Sequence, residues 1–329
     1  MRLSLLFLLL SLLLLACGTG DNKNPFEKQL HEPPYGELSE QIDRSPKNDS
    51  LYYQRALLLI QNEQPVAARL DLEKAWSLCP MPDYALALAS LMSETINKQA
   101  DFLKKAVSQF KDNFLLEWAL ADTYQQLGQP DSAIRLTEKW IPQANDEPEF
   151  VLLHARLQRD KNKMTEALTT IEQLHQRVPA EKTVTEILAL WYAELGVEKA
   201  IPLCEEMKAA DSLKTNPLPY YYLGILYDTQ KKYELALTQF DKAIINDYNF
   251  VDAYIEKSSI LYQQKKWSSA LDVLAKALAI APNNASVYYW TAKCQQALGD
   301  KESARLNYLK AYGLDKSLLE AKQAADQLK

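Results

Sequence analysis

The sequence predicts an all-α chain of stacked helical hairpins, and three observations carry that prediction. Glycine is scarce, 8 of 329 residues, roughly 2% against a usual ~7%. Such a chain has few residues for tight hairpins, phosphate-cradling loops or barrel corners, and its Leu-, Ala- and Tyr-rich remainder favours helices. Small residues flanked by apolar ones recur at Ala56, Ser90, Ala121, Ala155, Ala189, Gly224, Ser258 and Ala292, in steps of 34, 31, 34, 34, 35, 34 and 34. Other series keep the same phase: Ala133 and Ala167 with Ala236, Ala270 and Ala304; Ala243, Ala277 and Ala311; and the prolines Pro46, Pro80, Pro179 and Pro282. Four series in one phase are not coincidence. A period of this length marks an array in which each unit buries its apolar face against its neighbours.

The elements follow in order. Residues 1–16, MRLSLLFLLLSLLLLA, place one positive charge, Arg2, before a short apolar run, as a secretory signal peptide does. The run falls short of the ~20 residues needed to span a bilayer. It ends in Leu14-Leu15-Ala16-Cys17-Gly18, which resembles the lipobox of bacterial lipoproteins. That resemblance implies cleavage before Cys17 and acylation of its thiol and new N-terminus, with several chains giving stable anchoring. The absence of aspartate at Gly18 implies, by the same resemblance, the outer membrane. Residues 17–35 are polar, with Pro25, Pro33 and Pro34, and read as a flexible tether. Residues 36–48 read as a lead-in half-repeat helix that closes on Pro46.

From 49 to 318 the period gives eight units: 49–82, 83–113, 114–147, 148–181, 182–216, 217–250, 251–284 and 285–318. The clearest is 217–250, PLPYYYLGILYDTQKKYELALTQFDKAIINDYNF. Leu223-Gly224 and Tyr227 in its first half, and Ala236, Phe240 and Ala243 in its second, resemble the tetratricopeptide repeat, a helix–turn–helix of 34 residues. Tyr248 stands where that family expects a closing proline. The unit 251–284 keeps Ala270, Ala277 and Pro282, and 285–318 keeps Ala304, Tyr308 and Ala311. The resemblance implies a right-handed superhelical solenoid of about eight such hairpins with a C-terminal capping helix.

Small residues suit the crossings, where bulk would push helix axes beyond 8–10 Å, and aromatics such as Tyr227, Phe240 and Tyr308 fill the remaining holes. Gly128, Gly196 and Gly299 fall at the turns between the two helices, where a left-handed residue is wanted. Two units are irregular. The 83–113 unit is short and lacks the second-helix alanine phase; in 182–216, Ala200 comes early and Pro202 either kinks the second helix or marks its first turn. Residues 319–329 read as the cap, started by a Ser317/Glu320 capping box, with Leu318, Ala321, Ala325 and Leu328 on one face.

The remaining composition argues against chemistry. Lys and Arg number 37 and Asp and Glu 43, a net charge of −6, one unit more negative without Arg2. An acidic chain without a basic stripe is a poor partner for nucleic acid. Cys79, Cys204 and Cys294 stand singly in different helical segments, a pattern of buried apolar cysteines rather than of disulfides or zinc. The histidines are His31, in the tether, and His154 and His175, and no hydrolase, zinc or P-loop motif occurs. No catalytic residue, metal or cofactor is expected.

What remains is the first-helix face, which in a superhelix of this family lines the concave side. A stripe at about i, i+4 and i+7 projects Tyr53 and Leu57; Trp118, Asp122 and Gln125; Arg156 and Arg159; Tyr221, Ile225 and Asp228; Glu256, Ser259 and Tyr262; and Tyr289 and Lys293. Aromatics with scattered charges suit a peptide or helix guest. The Lys/Asn carboxylate clamp of some family members is absent at the matching places. The expected function is a lipid-anchored, non-enzymatic interaction scaffold of the cell envelope, holding a protein segment in this groove. The alternative is glycan binding through Tyr221, Tyr262, Tyr289 and Trp290.

Overall fold

The computed structural model describes residues 25–92, 95–143 and 147–328. The signal peptide 1–16, Cys17 and the tether as far as residue 24 lie outside the described residues. Among the described residues there are nineteen helices and no strand, and no helix is long and apolar enough to cross a membrane. The chain falls into two compact units, one ending at Trp140 and the other beginning at Ile141.

The first unit opens with α1 (Glu27–Leu30) and α2 (Gly36–Arg44). Three hairpins follow: α3 (Asp49–Gln61) with α4 (Pro65–Leu78), α5 (Pro82–Ser90) with α6 (Ile96–Gln109), and α7 (Phe114–Gln126) with α8 (Pro130–Trp140). The second unit holds five more: α9 (Pro148–Asp160) with α10 (Met164–Arg177), α11 (Lys182–Glu194) with α12 (Ala200–Ala210), α13 (Leu218–Thr229) with α14 (Tyr233–Asn246), α15 (Val251–Gln263) with α16 (Trp267–Ile280), and α17 (Ala285–Ala297) with α18 (Lys301–Leu314). The last helix is α19 (Leu319–Gln327).

Local sequence sets these boundaries. Pro65, Pro82, Pro130 and Pro148 each open a helix, where the missing N–H has no intrahelical partner to lose. Asn113 and Asn284 accept from the N–H of Leu116 and Val287 at 3.0 and 3.1 Å, and Asp300 accepts from Ser303 N at 3.1 Å, so each caps its helix. In seven hairpins the turn holds one left-handed residue: Glu63, Gly128, Asn162, Gly196, Lys231, Lys265 and Gly299. Glycine serves three of them, as its spacing predicts. Asn162 tolerates it, and Glu63, Lys231 and Lys265 show that the turn imposes the conformation even on side chains that resist it.

The interior is built on fully buried alanines. Ala56, Ala121, Ala155, Ala189 and Ala292, with Ser258, are shut off on first helices, and Ala133, Ala167, Ala200, Ala236, Ala270 and Ala304 on second helices. The 83–113 segment departs from the expectation twice. Ser90 is exposed and Ala89 is buried in its place, because three residues separate α4 from α5 where four separate α2 from α3, and the crossing comes one residue early. The missing second-helix alanine is present as Ala100, 2% exposed. Pro202 is the third residue of α12, a first-turn position that needs no kink.

A second repeated device ties three of the hairpins to the segment that precedes them. The phenols of Tyr52, Tyr254 and Tyr288 donate to the carbonyls of Pro46, Tyr248 and Pro282, at 3.2, 3.1 and 2.9 Å. The closing position thus contributes a carbonyl, which Tyr248 supplies as well as proline does.

Three sequence expectations are corrected. Residues 25–35, assigned to the tether, include a folded part: Leu30 and Tyr35 are buried and pack with Ala56 and Leu59, and His31 bonds to Asp43 at 3.0 Å. A few apolar side chains among prolines and charges suffice when a ready-made helix face receives them. Ser317 does not form a capping box; its N–H and hydroxyl both donate to Asp315, while Ala321 and Ala325 are buried as expected. Cys204 and Cys294 are buried, but Cys79 is exposed, because it sits at the C-cap of α4, where the backbone turns extended.

Candidate functional site

In the second unit the first helices touch in succession, α11 with α13, α13 with α15 and α15 with α17. They form one continuous face. Arg156, Arg159, Tyr221, Ile225, Asp228, Tyr262, Tyr289 and Lys293 all lie on these helices or on α9. Tyr53 and Trp118 belong to the first unit, on α3 and α7.

The aromatics of this face are braced rather than loose. Tyr221 is half-buried and meets Phe250 edge-on, with centroids 5.0 Å apart, and Phe240 at 5.8 Å. Ile225 is half-buried against the same core. Tyr262 and Tyr289 stand edge-on to Trp290 at 5.8 and 6.1 Å. The ammonium of Lys293 lies 5.1, 5.3 and 4.2 Å from the centroids of Tyr262, Tyr289 and Trp290, a cation held by three ring faces. Arg159 pairs with Glu194 at 2.9 Å and lies over Trp191 at 5.3 Å. Arg156 is exposed.

The centre of the face is acidic. Asp228 and Glu256 are half-buried, and among the described residues no cation pairs with either. Burial pushes the Asp228 carboxyl up. The Glu256 carboxyl is also pushed up, first by burial and then by the charges of Asp228 and Asp252. Tyr221 is raised by burial and then by Glu256, Asp252 and Glu194, so these acids share one neighbourhood. Sequence reasoning placed Asp228 and Glu256 in the stripe but missed Glu194, Asp252 and Glu186 beside it. Glu194 is one residue out of register with Asp228, because the step from Ala189 to Gly224 is 35 residues, so the repeat does not signal it. At the end of the same hairpin a cavity of about 430 Å³ is lined by Lys182, Glu186, Glu206 and Asp211.

In the first unit Tyr53 on α3 packs tilted against Tyr84 on α5 at 4.6 Å, and Trp118 against Phe114 of the same helix at 5.6 Å, so one ring serves packing between hairpins and the other packing along α7. Nearby is a buried group the sequence did not reveal. Arg55 Nε and Nη2 donate to the two carboxylate oxygens of Asp71, both at 2.7 Å, and Nη1 donates to Ser39 Oγ at 2.8 Å. The pair lines a cavity of about 670 Å³ with His31, Asp43 and Lys74. Its ligands satisfy one another, and among the described residues no cluster of three or more metal-ligating side chains occurs. His154 is buried in the core, and His175 stands 3.4 Å from Thr185 Oγ1.

Comparison with known proteins agrees with this architecture. The family model described as a tetratricopeptide repeat matches residues 100–157 and 261–306. No curated protein sequence matches the chain. Among solved structures, a tetratricopeptide repeat protein from Parabacteroides merdae superimposes with a TM-score of 0.57 at 13% identity, over 85% of this chain and 98% of that one. The APC/C hetero-tetramer Cut9–Hcn1 gives 0.51 at 14% identity, over 91% of this chain and 60% of that one. The fold is therefore that of a tetratricopeptide-repeat solenoid, and two of its segments carry the repeat's sequence pattern.

Proposed function

We propose that this chain is a non-enzymatic scaffold of the bacterial cell envelope. It is anchored by lipid at Cys17 and holds a segment of a partner protein on the first-helix face of its second unit. The observation that carries the reading is that face itself: a continuous row of first helices presenting braced aromatics, half-buried Ile225 and unpaired carboxylates. Large side chains fixed by their neighbours lose little freedom on binding, which suits capture of a peptide or helix. A glycan platform is the weaker reading. Sugar stacking needs open ring faces, whereas Tyr262, Tyr289 and Trp290 meet edge-on and already share the Lys293 ammonium.

Two measurements test the proposal. A photo-crosslinking residue at Ser259, on the first-helix face, is expected to trap a protein that the same residue at Ser268, on exposed α16, does not. Trapping from Ser268 alone would move binding to the outer helices. Cys17→Ser is expected to release the chain from the membrane fraction; retention would overturn the lipid anchor.

A further inference from the structure

The chemistry of the guest can be narrowed further, given the docking face proposed above. We propose that the occupant presents a single lysine or arginine, flanked by uncharged apolar residues, to Asp228 and Glu256. Three observations on the face converge on this occupant.

The first is the pattern of ion pairing. Glu194 has Arg159 at 2.9 Å, while Asp228 and Glu256 have no cation among the described residues and are half-buried. A carboxylate withdrawn from water without a partner is unfavourable, and a guest cation bonded to it relieves that cost. The second is the surround. Tyr221 lies near Glu256 and Ile225 one turn before Asp228 on α13, so the aliphatic stem of a lysine or the plane of an arginine finds apolar and aromatic surface beside its charge.

The third is that the acidic zone is bounded. Exposed Arg156 stands on α9 at one side of it, and Lys293 on α17 at the other. A cationic tract would meet like charge at both ends. Asp228 on α13 and Glu256 on α15 sit on neighbouring helices, whose axes lie about 8–10 Å apart. That is about three residues of extended chain, room for one cationic side chain. The bounded zone separates this occupant from the polycationic segments that any acidic protein attracts.

The test uses the full chain purified in detergent and a displayed library of random 12-residue peptides. Peptides recovered from the selection are measured by fluorescence anisotropy. The expected result is one Lys or Arg within an apolar frame, with affinity falling tenfold or more in Asp228→Asn/Glu256→Gln while helicity is unchanged, and falling again from 0.05 to 0.5 M salt. Recovered peptides with no cationic preference, unaffected by that double variant but lost in Ile225→Asp, would leave the docking face standing and overturn this inference. Arginine-rich tracts would show bulk attraction to an acidic chain and would also overturn it. Peptides insensitive to both variants, or no recovered peptide, would remove the docking face as well. A dimer abolished by Asp228→Asn/Glu256→Gln would make a second copy the occupant, against the proposal.

Discussion

Phe240 packs directly on the bare α-carbon of Gly224. A Cβ at Gly224 would stand 2.7 Å from Cδ1 and 2.8 Å from Cζ of that ring, so the Phe240 ring fills the space that a side chain at Gly224 would need. Gly224→Ala is expected to destabilise the chain by about 1–3 kcal/mol through overpacking, although alanine is the better helix former by ~1 kcal/mol. Phe240→Leu in the same background should recover part of the loss. Denaturant midpoints of the single and double variants check this, and a neutral Gly224→Ala would mean that the Phe240 ring moves aside without cost.

The left-handed turn residues give a second test, because the same position is filled by two kinds of residue. Lys231 has φ 59° and Gly128 has φ 66°, and a Cβ at Gly128 would meet nothing within 4 Å. Only backbone conformation separates the two. A left-handed non-glycine residue costs about 1–2 kcal/mol, offset by about 0.4–1 kcal/mol of unfolded-chain entropy that glycine adds. Lys231→Gly should therefore raise stability by about 0.5–1 kcal/mol and Gly128→Ala lower it by a similar amount. Opposite signs in thermal melts support the assignment; two changes of the same sign reject it.

The contrast between those turns shows what the sequence could and could not reveal. Hairpin stacking was legible because burial at a crossing excludes bulk, and that exclusion repeats in phase at Ala155, Ala189, Gly224 and Ala292. The register failed at Ser90 because a shorter link between α4 and α5 brings the crossing forward to Ala89, and a fixed period cannot register a local deletion. The stripe named Asp228 and Glu256 because they keep helical spacing. It could not show that neither has a cation, since ion pairs such as Arg159–Glu194 join different hairpins. Arg55 and Asp71 were invisible for the same reason: each is an ordinary charged residue on its own helix, and only the α3–α4 packing buries both.

That buried pair makes a third prediction. Arg55 and Asp71 are 5% and 2% exposed, joined by two bonds of 2.7 Å. Removing one partner leaves an uncompensated buried charge, so Arg55→Ala should cost about 3–5 kcal/mol. Replacing both by apolar residues of similar size, Arg55→Met with Asp71→Leu, should return most of that stability. Urea denaturation of the native chain and the two variants checks this. A double variant as unstable as Arg55→Ala would mean that the link to Ser39, not the charge pair, holds the first unit together.

The unpaired acids predict a pH dependence of the opposite sign to that of a salt-bridged carboxylate. Burial first, then Asp228 and Asp252, raise the Glu256 carboxyl above its ordinary value of 4.5. The folded state therefore holds this proton more tightly than the unfolded state. The Glu256 contribution to stability falls as pH rises from the ordinary value through the raised one, and the penalty persists at neutral pH. Glu256→Gln carries no such charge, so it should melt above the native chain at pH 7, with the difference closing as pH drops below about 4.5. A cationic guest should reverse the shift, because a partner charge favours the ionised form. Binding of an arginine-bearing peptide should then release protons as pH approaches the raised value from above, read as a heat that varies with buffer ionisation enthalpy. An equal melting difference at pH 4 and pH 7 would show that Glu256 is not strained by its charge, and the site would lose its reason to favour a cation.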